Sequence, residues 1–307
     1  MVAIRPITFL SDYGYADEFA GVCRAVIAQI SPESAVIDLT HGIPRYDVQR
    51  GAAALARALP FTAPGVHLAV VDPGVGTERR PLAVRVAQED RILVGPDNGV
   101  LSRAISVLGG AVEAADLAES EFALKPVSAT FHGRDIFAPV AAQLAKGASI
   151  NESGESLGPE SLFRVSSPEP VVEAGRVLAH VIDTDGFGNV ALDAEAKHLI
   201  EAASKAPDGT AEGKIAAPEG RPVAESRFET AGIAVQDESV GCAVVEVAGF
   251  AHRAIHGRAF GDVPEGGLLL YVDSSGRAAL AVNRGSAASE LGLEPGDEVE
   301  IRLDAPR

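Results

Sequence analysis

Val66-His67-Leu68-Ala69-Val70-Val71-Asp72-Pro73-Gly74-Val75-Gly76-Thr77-Glu78-Arg79-Arg80 is the stretch that decides how this chain folds. A short apolar run passes without a break into an acid, a proline and two glycines. Such a run, closed by turn residues, is a buried strand ending at the carboxyl edge of a sheet. In open α/β sheets ligands bind along this edge, because loops from neighbouring strands converge there. Asp72 therefore stands on the lip, and Arg79 comes back towards it from the far side of the loop. A turn-capping aspartate followed by an exposed arginine explains the same letters, so the rest of the chain must decide between the two.

Upstream, Ile7-Thr8-Phe9-Leu10 is a short apolar strand broken by Ser11-Asp12-Tyr13-Gly14. Apolar residues recur at helical spacing from Phe19 to Ile30, and Ser31-Pro32 ends them. Val36 to Leu39 is a second strand, closed by Thr40-His41-Gly42-Ile43-Pro44, and Asp47 to Leu59 is an alanine-rich helix stopped by Pro60. Downstream, Leu82 to Val86 and Arg91 to Val94 read as strands, and Gly95-Pro96-Asp97-Asn98-Gly99 opens a helix through Ile105. Ile136 to Leu144 is a further amphipathic helix. This alternation predicts a layered, Rossmann-like α/β domain over residues 1–166.

Glu152 to Pro170 is rich in Ser, Gly, Pro and Glu and reads as a linker. Beyond it the pattern changes to period two, in Val177 to Asp183, Val190 to Leu192, Gly241 to Val247, Leu268 to Val272, Ala278 to Val282 and Val299 to Leu303. A smaller, mostly antiparallel β domain is expected over 172–307, barrel-like or sandwich-like. Within it, Lys205 to Glu229 has little apolar patterning and reads as a mobile surface insertion without chemistry of its own.

The 307 residues suffice for a sizeable core, and 47% hydrophobic with 22% charged residues describes an ordinary globular protein. A net charge of −17 argues against nucleic acid or an anionic membrane as a partner. Cys23 and Cys242 stand far apart and share no metal-type spacing with a histidine. No apolar stretch reaches the length of a membrane span, and the first residues do not read as a secretory leader. A soluble, reduced, cytoplasmic protein is expected.

Four polar loops follow apolar strands in the first domain: Ser11-Asp12, His41-Gly42, Asp72-Pro73-Gly74 and Phe131-His132-Gly133-Arg134-Asp135. A fifth, Asp183-Thr184-Asp185-Gly186-Phe187-Gly188-Asn189, falls in the second. Neither a P-loop nor a Rossmann glycine fingerprint is present. A two-metal cluster of Asp12, Asp72, His132 and Asp135 lacks further histidines, and a serine hydrolase lacks its G-x-S-x-G elbow.

Five motifs, in order and spacing, resemble one known family. They are Leu10-Ser11-Asp12-Tyr13-Gly14, Val71 to Thr77, Thr130 to Asp135, Asp185 to Asn189, and Ser274-Ser275-Gly276 followed by Ala281 to Ala288. Together they look like the S-adenosyl-L-methionine (SAM) hydroxide adenosyltransferases, adenosine-forming SAM hydrolases related to fluorinase and chlorinase. The resemblance spans nearly the whole chain apart from the insertion. It implies hydrolysis of SAM to adenosine and L-methionine, by SN2 attack of water or hydroxide on ribose C5′, without metal or organic cofactor. The sulfonium already leaves well, so the task is to hold and activate water. By motif, Asp72, Arg79 and His132 carry that role, and which of Asp72 and His132 is the base stays open.

The same resemblance assigns Asp12 to the ribose hydroxyls and Asn189 to the adenine edge. It assigns Asp185 to the methionine ammonium, and Phe131 and Phe187 to apolar walls. Tyr46 corresponds to a ribose-packing aromatic, Ser274 to a contact at the methionine or adenosine end, and the backbone from Val282 to Arg284 to an adenine contact. Where many family members have Glu, this chain has Ala279. The halogenating relatives are similar but carry Tyr in place of Asp72, and the fluorinase carries Ser in place of Gly133. A carboxylate beside the attacking position repels halide and accepts water. The resemblance also implies a homotrimer, with each site shared between the first domain of one subunit and the second of its neighbour. The alternatives are a halogenase-type transferase and a non-catalytic SAM or adenosine sensor.

Overall fold

In the computed structural model, which describes residues 4–88, 90–165, 169–206 and 241–303, the Val66 run is a strand buried along its whole length. Contacts divide the chain into two units, Met1–Ser166 and Ser167–Arg307. The first holds strands β1 (Ile7–Ser11), β2 (Val36–Thr40), β3 (Val66–Val70), β4 (Pro81–Val86), β5 (Ile92–Pro96), β6 (Ala111–Asp116) and β7 (Glu155–Leu157). They form one sheet in the order β2-β1-β3-β5-β4-β6-β7. The first four of these neighbours run parallel, and β4, β6 and β7 complete the sheet with antiparallel pairings.

Side chains alternate faces along a strand, and here both faces are covered, which explains why β1 and β3 read as unbroken apolar runs. Ile7, Phe9, Leu68 and Val70 pack into one core with helices α1 (Phe19–Ile30) and α4 (Ala138–Ala145). Leu10, Ala69, Val71 and Leu93 pack into another with α2 (Val48–Ala58) and α3 (Ser102–Val107). Asp47 caps α2 by accepting from the Arg50 N–H.

Three expectations are corrected here. The helix expected to open at Gly95 begins at Ser102, because Gly95 and Pro96 finish β5. Gly95 lies so close to β3 that a Cβ would stand 2.3 Å from the Ala69 carbonyl. The helix expected over Ile136 to Leu144 is not amphipathic: most of α4 is buried, and a π-helical turn over Gly133–Phe137 precedes it. The stretch expected as a linker from Glu152 is structured at its start. Helix α5 (Ile150–Ser153) is held by a capping box between Ser149 and Glu152, and β7 adds to the sheet edge beside β6.

The second unit holds β8 (Val171–Glu173), β9 (Arg176–Thr184), β10 (Val190–Glu195), helix α6 (Ala196–Ser204), β11 (Gly241–Val247), β12 (Phe250–His256), β13 (Leu268–Val272), β14 (Arg277–Val282), helix α7 (Ala287–Leu291) and β15 (Glu298–Leu303). The order is β10-β14-β13-β12-β11-β15-β9-β8, and β10 also pairs with β9. That last pairing closes seven strands into a barrel, with β8 appended to β9. All pairs are antiparallel except β12 with β13. Closure leaves the barrel strands no open edge, and Val177, Val181, Val245, Leu270, Leu280 and Ile301 fill the interior. Beyond Ala206, the insertion expected over 205–229 lies outside the described residues.

One buried group makes the first unit sensitive to acid. His67, on β3, shares its Nδ1 with the Thr8 hydroxyl at 2.9 Å, and Arg91 Nη1 faces its Nε2 at 3.3 Å. Burial first, and then the Arg91 charge, push its pKa from 6.5 down to about 3. The folded state therefore keeps His67 neutral where the unfolded chain binds a proton. Its contribution to stability is present above pH 6.5 and is lost at about 1.4 kcal/mol per pH unit as pH falls towards 3. Denaturant midpoints measured from pH 7 to pH 5 should fall in the wild type and fall less steeply in His67→Gln. Parallel slopes in the two proteins would remove His67 from this account.

Candidate active site

Three loops meet at the carboxyl edge of the first sheet. The loop after β3 carries Asp72 and returns to Arg79, and Thr77 ties its middle by donating its hydroxyl to the Gly74 carbonyl at 2.7 Å. Gly76 has a φ of +77°, and a Cβ there would stand 2.3 Å from the Ala129 carbonyl, so only glycine lets this loop press against the one that leads to His132. The latter loop is fixed from behind by Asp135. Its buried carboxylate accepts from the Ser128 N–H at 2.8 Å and from Arg134 Nε at 2.6 Å. The end of β3 is held by Asn98, whose Nδ2 donates to the Val71 carbonyl at 2.8 Å.

Asp72, Arg79 and His132 come together, as the sequence reading expects. Arg79 Nε donates to Asp72 Oδ1 at 2.9 Å and to Oδ2 at 3.0 Å, while Nη2 forms a short contact with Oδ2. The same Nη2 lies 2.9 Å from His132 Nδ1. The side chains of Arg79 and Asp72 are only 8% and 6% exposed, so this is a largely desolvated ion pair, not a turn cap beside a bystander. Arg79 also stacks on Phe137, with Cζ 5.2 Å from the ring centroid.

The contact with His132 settles its tautomer on chemical grounds. Arginine carries donors only, so His132 Nδ1 must accept, and the neutral ring carries its proton on Nε2. Burial first, and then the Arg79 charge, lower the His132 pKa below its ordinary value, against the opposing pull of Asp72 and Asp135. His132 is thus a neutral ring whose basic nitrogen is already occupied.

A pocket of about 290 Å³ opens beside this cluster and is lined by Asp12, Tyr13, Tyr46, Asp72, His132 and Gly133, among others. Asp12 accepts the backbone N–H of Tyr46 through Oδ2 at 2.9 Å, which holds Tyr46 at a left-handed φ of 67°. Burial raises the Asp12 pKa, opposed by that N–H and assisted by Asp72. Phe131 packs against the pocket residue Tyr13, edge to face at 5.9 Å, and carries Arg134 over its ring, with Cζ 5.1 Å from the centroid. Sequence reasoning quoted Tyr13 within its motif without giving it a role, and it overlooked Arg45 and Phe19, which also line the pocket. The position of Tyr13 beside Asp12, on the same lip, was the available signal.

Beneath this lip, Ser11 Oγ lies 2.7 Å from His41 Nδ1, and His41 Nε2 lies 3.3 Å from Asp38 Oδ1. This has the order of a hydrolase triad, yet Ser11 and His41 are fully buried and no substrate reaches them. With the Gly14 N–H donating to the His41 carbonyl at 2.8 Å, the group serves as a clamp on the Asp12 loop. Among the described residues no cluster of three or more His, Cys, Asp or Glu could hold a metal ion.

In the second unit Asp185, Phe187, Asn189, Val282 and Arg284 lie at one end of β9, β10 and β14, whereas Ser274 lies at the opposite end of β14 and is not brought to them. Asp185 Oδ1 accepts the backbone N–H groups of Phe187 and Asn189 at 2.8 and 2.9 Å, and its Oδ2 accepts Asn189 Nδ2 at 2.8 Å. Both polar side chains are thereby engaged with each other, which is the turn-capping role open to Asp185 from sequence. Phe187 projects from the loop, 82% exposed. The Ala288 N–H donates to the Gly188 carbonyl at 3.0 Å, so this loop and the one after β14 are joined. Val282 is buried at the end of β14, and Arg284, at a φ of 59°, reaches Glu265 at 3.0 Å. Ser274 sits in the turn between β13 and β14, and Ala279 is buried in β14 opposite Ala191 and Tyr271.

Residues 7–154 match the model of the SAM hydroxide adenosyltransferase N-terminal domain, and residues 233–300 match that of its C-terminal domain. The chain is 42% identical over 295 residues to a protein of Salinispora tropica named (R)-S-adenosyl-L-methionine hydrolase, covering 96% of this chain and 97% of the relative. A protein of the same name from Thermus thermophilus is 38% identical over 313 residues, covering 97% and 100%. More distant is a fluorinase of an Actinoplanes species, 27% identical over 208 residues, or 60% of this chain and 70% of that enzyme. A crystal structure of an uncharacterized conserved protein from Thermotoga maritima is similar with a TM-score of 0.78 at 33% identity, covering 96% of this chain and 99% of the other.

The tautomer assigned to His132 is directly measurable. Nitrogen-15 NMR of the imidazole ring should report a neutral ring protonated at Nε2 at pH 7, titrating below the ordinary histidine range. Replacing Arg79 by Met removes both the donor and the charge, so the His132 pKa should rise. An Nδ1-protonated ring, or a pKa that does not respond to Arg79→Met, contradicts this geometry.

Proposed function

The chain belongs to the SAM hydroxide adenosyltransferase family, and we propose that it hydrolyses S-adenosyl-L-methionine to adenosine and L-methionine. The observation that carries the proposal is the buried Asp72–Arg79–His132 contact on the wall of a pocket that also presents Asp12. Water attacks ribose C5′ from the side opposite sulfur. The C5′–O bond forms as the C5′–S bond breaks, the bonding pair passes to sulfur, and one water proton is given up. The sulfonium loses its charge on leaving as a thioether, so no acid is needed there.

Asp72 is the residue we assign to that proton. Oδ1 receives a single Arg79 contact at 2.9 Å, and a carboxylate oxygen has a second lone pair to offer. His132 cannot take it through Nδ1, which faces Arg79. Its part is to fix Arg79, whose charge favours hydroxide over water beside the carbon, and to offer an Nε2–H to the substrate. Holding the reacting atoms in line supplies most of the acceleration expected of such a site. Asp12 is assigned to the ribose hydroxyls, and Tyr46 and Phe131 to the sides of the sugar. Asp185, Phe187, Asn189, Ser274, Val282 and Arg284 are assigned to the adenine and methionine ends, with Asp185 and Asn189 exchanging their mutual contact for contacts to the ligand.

The relatives' names specify the R form of the substrate, and we assign the same preference to this enzyme. We further assign it to the cytoplasm and to a homotrimer. No helix among the described residues is long and apolar enough to cross a membrane. Light scattering should give a mass about three times 31.6 kDa, and a monomer would contradict that assignment.

The reaction is tested by incubating the protein with R and S forms of SAM, with and without chloride or fluoride, and separating the products. Adenosine and methionine in halide-free buffer, faster from the R form, are expected. A 5′-halogenated adenosine as main product, or unchanged SAM, would overturn the reading. Asp72→Ala should lower kcat by roughly 10²–10⁴-fold, while Asp12→Ala should chiefly raise KM. Undiminished turnover in Asp72→Ala would remove Asp72 from the proton transfer.

A further inference from the structure

Tyr13 stands out among the pocket residues as a polar group that the hydrolysis described above leaves unused. Its ring is fixed by aromatic neighbours, edge to face with Phe9 at 6.4 Å and with Phe131 at 5.9 Å, and tilted on Phe19 at 5.8 Å. This packing aims the hydroxyl at Gly133, the residue after His132. A Cβ on Gly133 would stand 2.1 Å from Tyr13 Oη and 3.1 Å from Cζ, so the absence of a side chain there is what admits the phenol. The hydroxyl makes no hydrogen bond to any described residue, although Tyr13 lines the same pocket as Asp72 and His132. The half-buried phenol keeps its access to the pocket, so a molecule held there can supply the partner that the protein does not. Burial first, and then the nearby Cys23, Asp12 and Asp72, raise its pKa well above the ordinary value, so it remains a neutral phenol at physiological pH.

We propose that Tyr13 is a further catalytic residue of this hydrolysis, its hydroxyl being the second hydrogen-bond partner of the attacking water beside Asp72. The inference rests on the hydrolase reading and deepens it. Water offers two hydrogens; one points to Asp72 and the other to Tyr13 Oη, which leaves an oxygen lone pair directed at C5′. As the C5′–O bond forms and the C5′–S pair passes to sulfur, the proton on the Asp72 side is released. The proton on the Tyr13 side stays with oxygen and becomes that of the adenosine 5′-hydroxyl. Tyr13 therefore fixes direction and exchanges no proton of its own, and Gly133 is required because any larger residue displaces it.

The test starts from wild-type turnover of R-form SAM. Tyr13→Phe keeps the ring and its packing, so KM and Tm should stay near the wild-type values. The value of kcat should fall on the order of ten- to a hundredfold, the usual consequence of a misdirected nucleophile. A merely structural tyrosine would shift Tm or KM and leave kcat alone. Gly133→Ala should lower Tm by roughly 2–10 °C in the wild-type background through overpacking. In the Tyr13→Phe background, where the clashing oxygen is gone, it should lower Tm by clearly less. Wild-type kcat in Tyr13→Phe overturns the inference while the hydrolase reading stands. Equal Tm losses from Gly133→Ala in both backgrounds overturn the geometry beneath it. Absence of wild-type turnover overturns the hydrolase reading and the inference together.

Discussion

The site depends on one guanidinium. Arg79 meets both oxygens of Asp72 through Nε and adds a further contact through Nη2, and the same Nη2 faces His132. Because the pair is largely desolvated, removing either partner leaves an uncompensated charge, at a cost of about 3–5 kcal/mol. The fork geometry of arginine is what makes the contact possible, since it supplies parallel donors to a carboxylate and a further donor to a ring nitrogen. Lysine would offer a point charge and could not set the His132 tautomer in this way. The arrangement divides the labour: Asp72 keeps a free lone pair, Arg79 brings positive charge, and His132 is held neutral.

The fold serves this contact through close backbone approaches. Strands β1 and β3 are buried on both faces, so their carboxyl ends are rigid platforms for Asp12 and Asp72. Gly76 lets the Asp72 loop touch the segment before His132, and Gly133 lets Tyr13 lie over the turn after it. The buried Ser11–His41 pair, with half-buried Asp38 beside it, holds the Asp12 loop, and Asp135 holds the His132 loop. In the second unit, by contrast, Phe187 is exposed and Asp185 and Asn189 satisfy each other. That pattern suits a surface that awaits a ligand more than one preformed around it.

Much of this was legible in the sequence, because the strongest signals were short. The Val66 run followed by Asp72-Pro73-Gly74 gave both a central strand and the lip of the site, and period two gave the barrel. The Asp72, Arg79 and His132 grouping was legible only through the order of motifs, since 53 residues separate Arg79 from His132. What escaped was set by contacts that no local pattern encodes. Gly95 looked like a helix opener but is a strand residue pressed against β3. Helix α4 looked amphipathic but is buried nearly all round. Strand β12 escaped because His252, Arg253 and His256 interrupt its alternation, and β7 because its polar residues sit on a sheet edge. Tyr13 escaped as a functional candidate because its meaning lies in the missing side chain of Gly133, far along the chain.

The central claim is that Asp72, Arg79 and His132 act as one unit through the shared guanidinium. A double-mutant cycle in kcat/KM with Asp72→Ala and His132→Ala tests it most directly, read alongside Tm to separate folding from chemistry. Residues that act as a unit lose their effect together, so the double variant should be little slower than the slower single variant. Losses that multiply, each residue contributing as though the other were intact, would contradict the account.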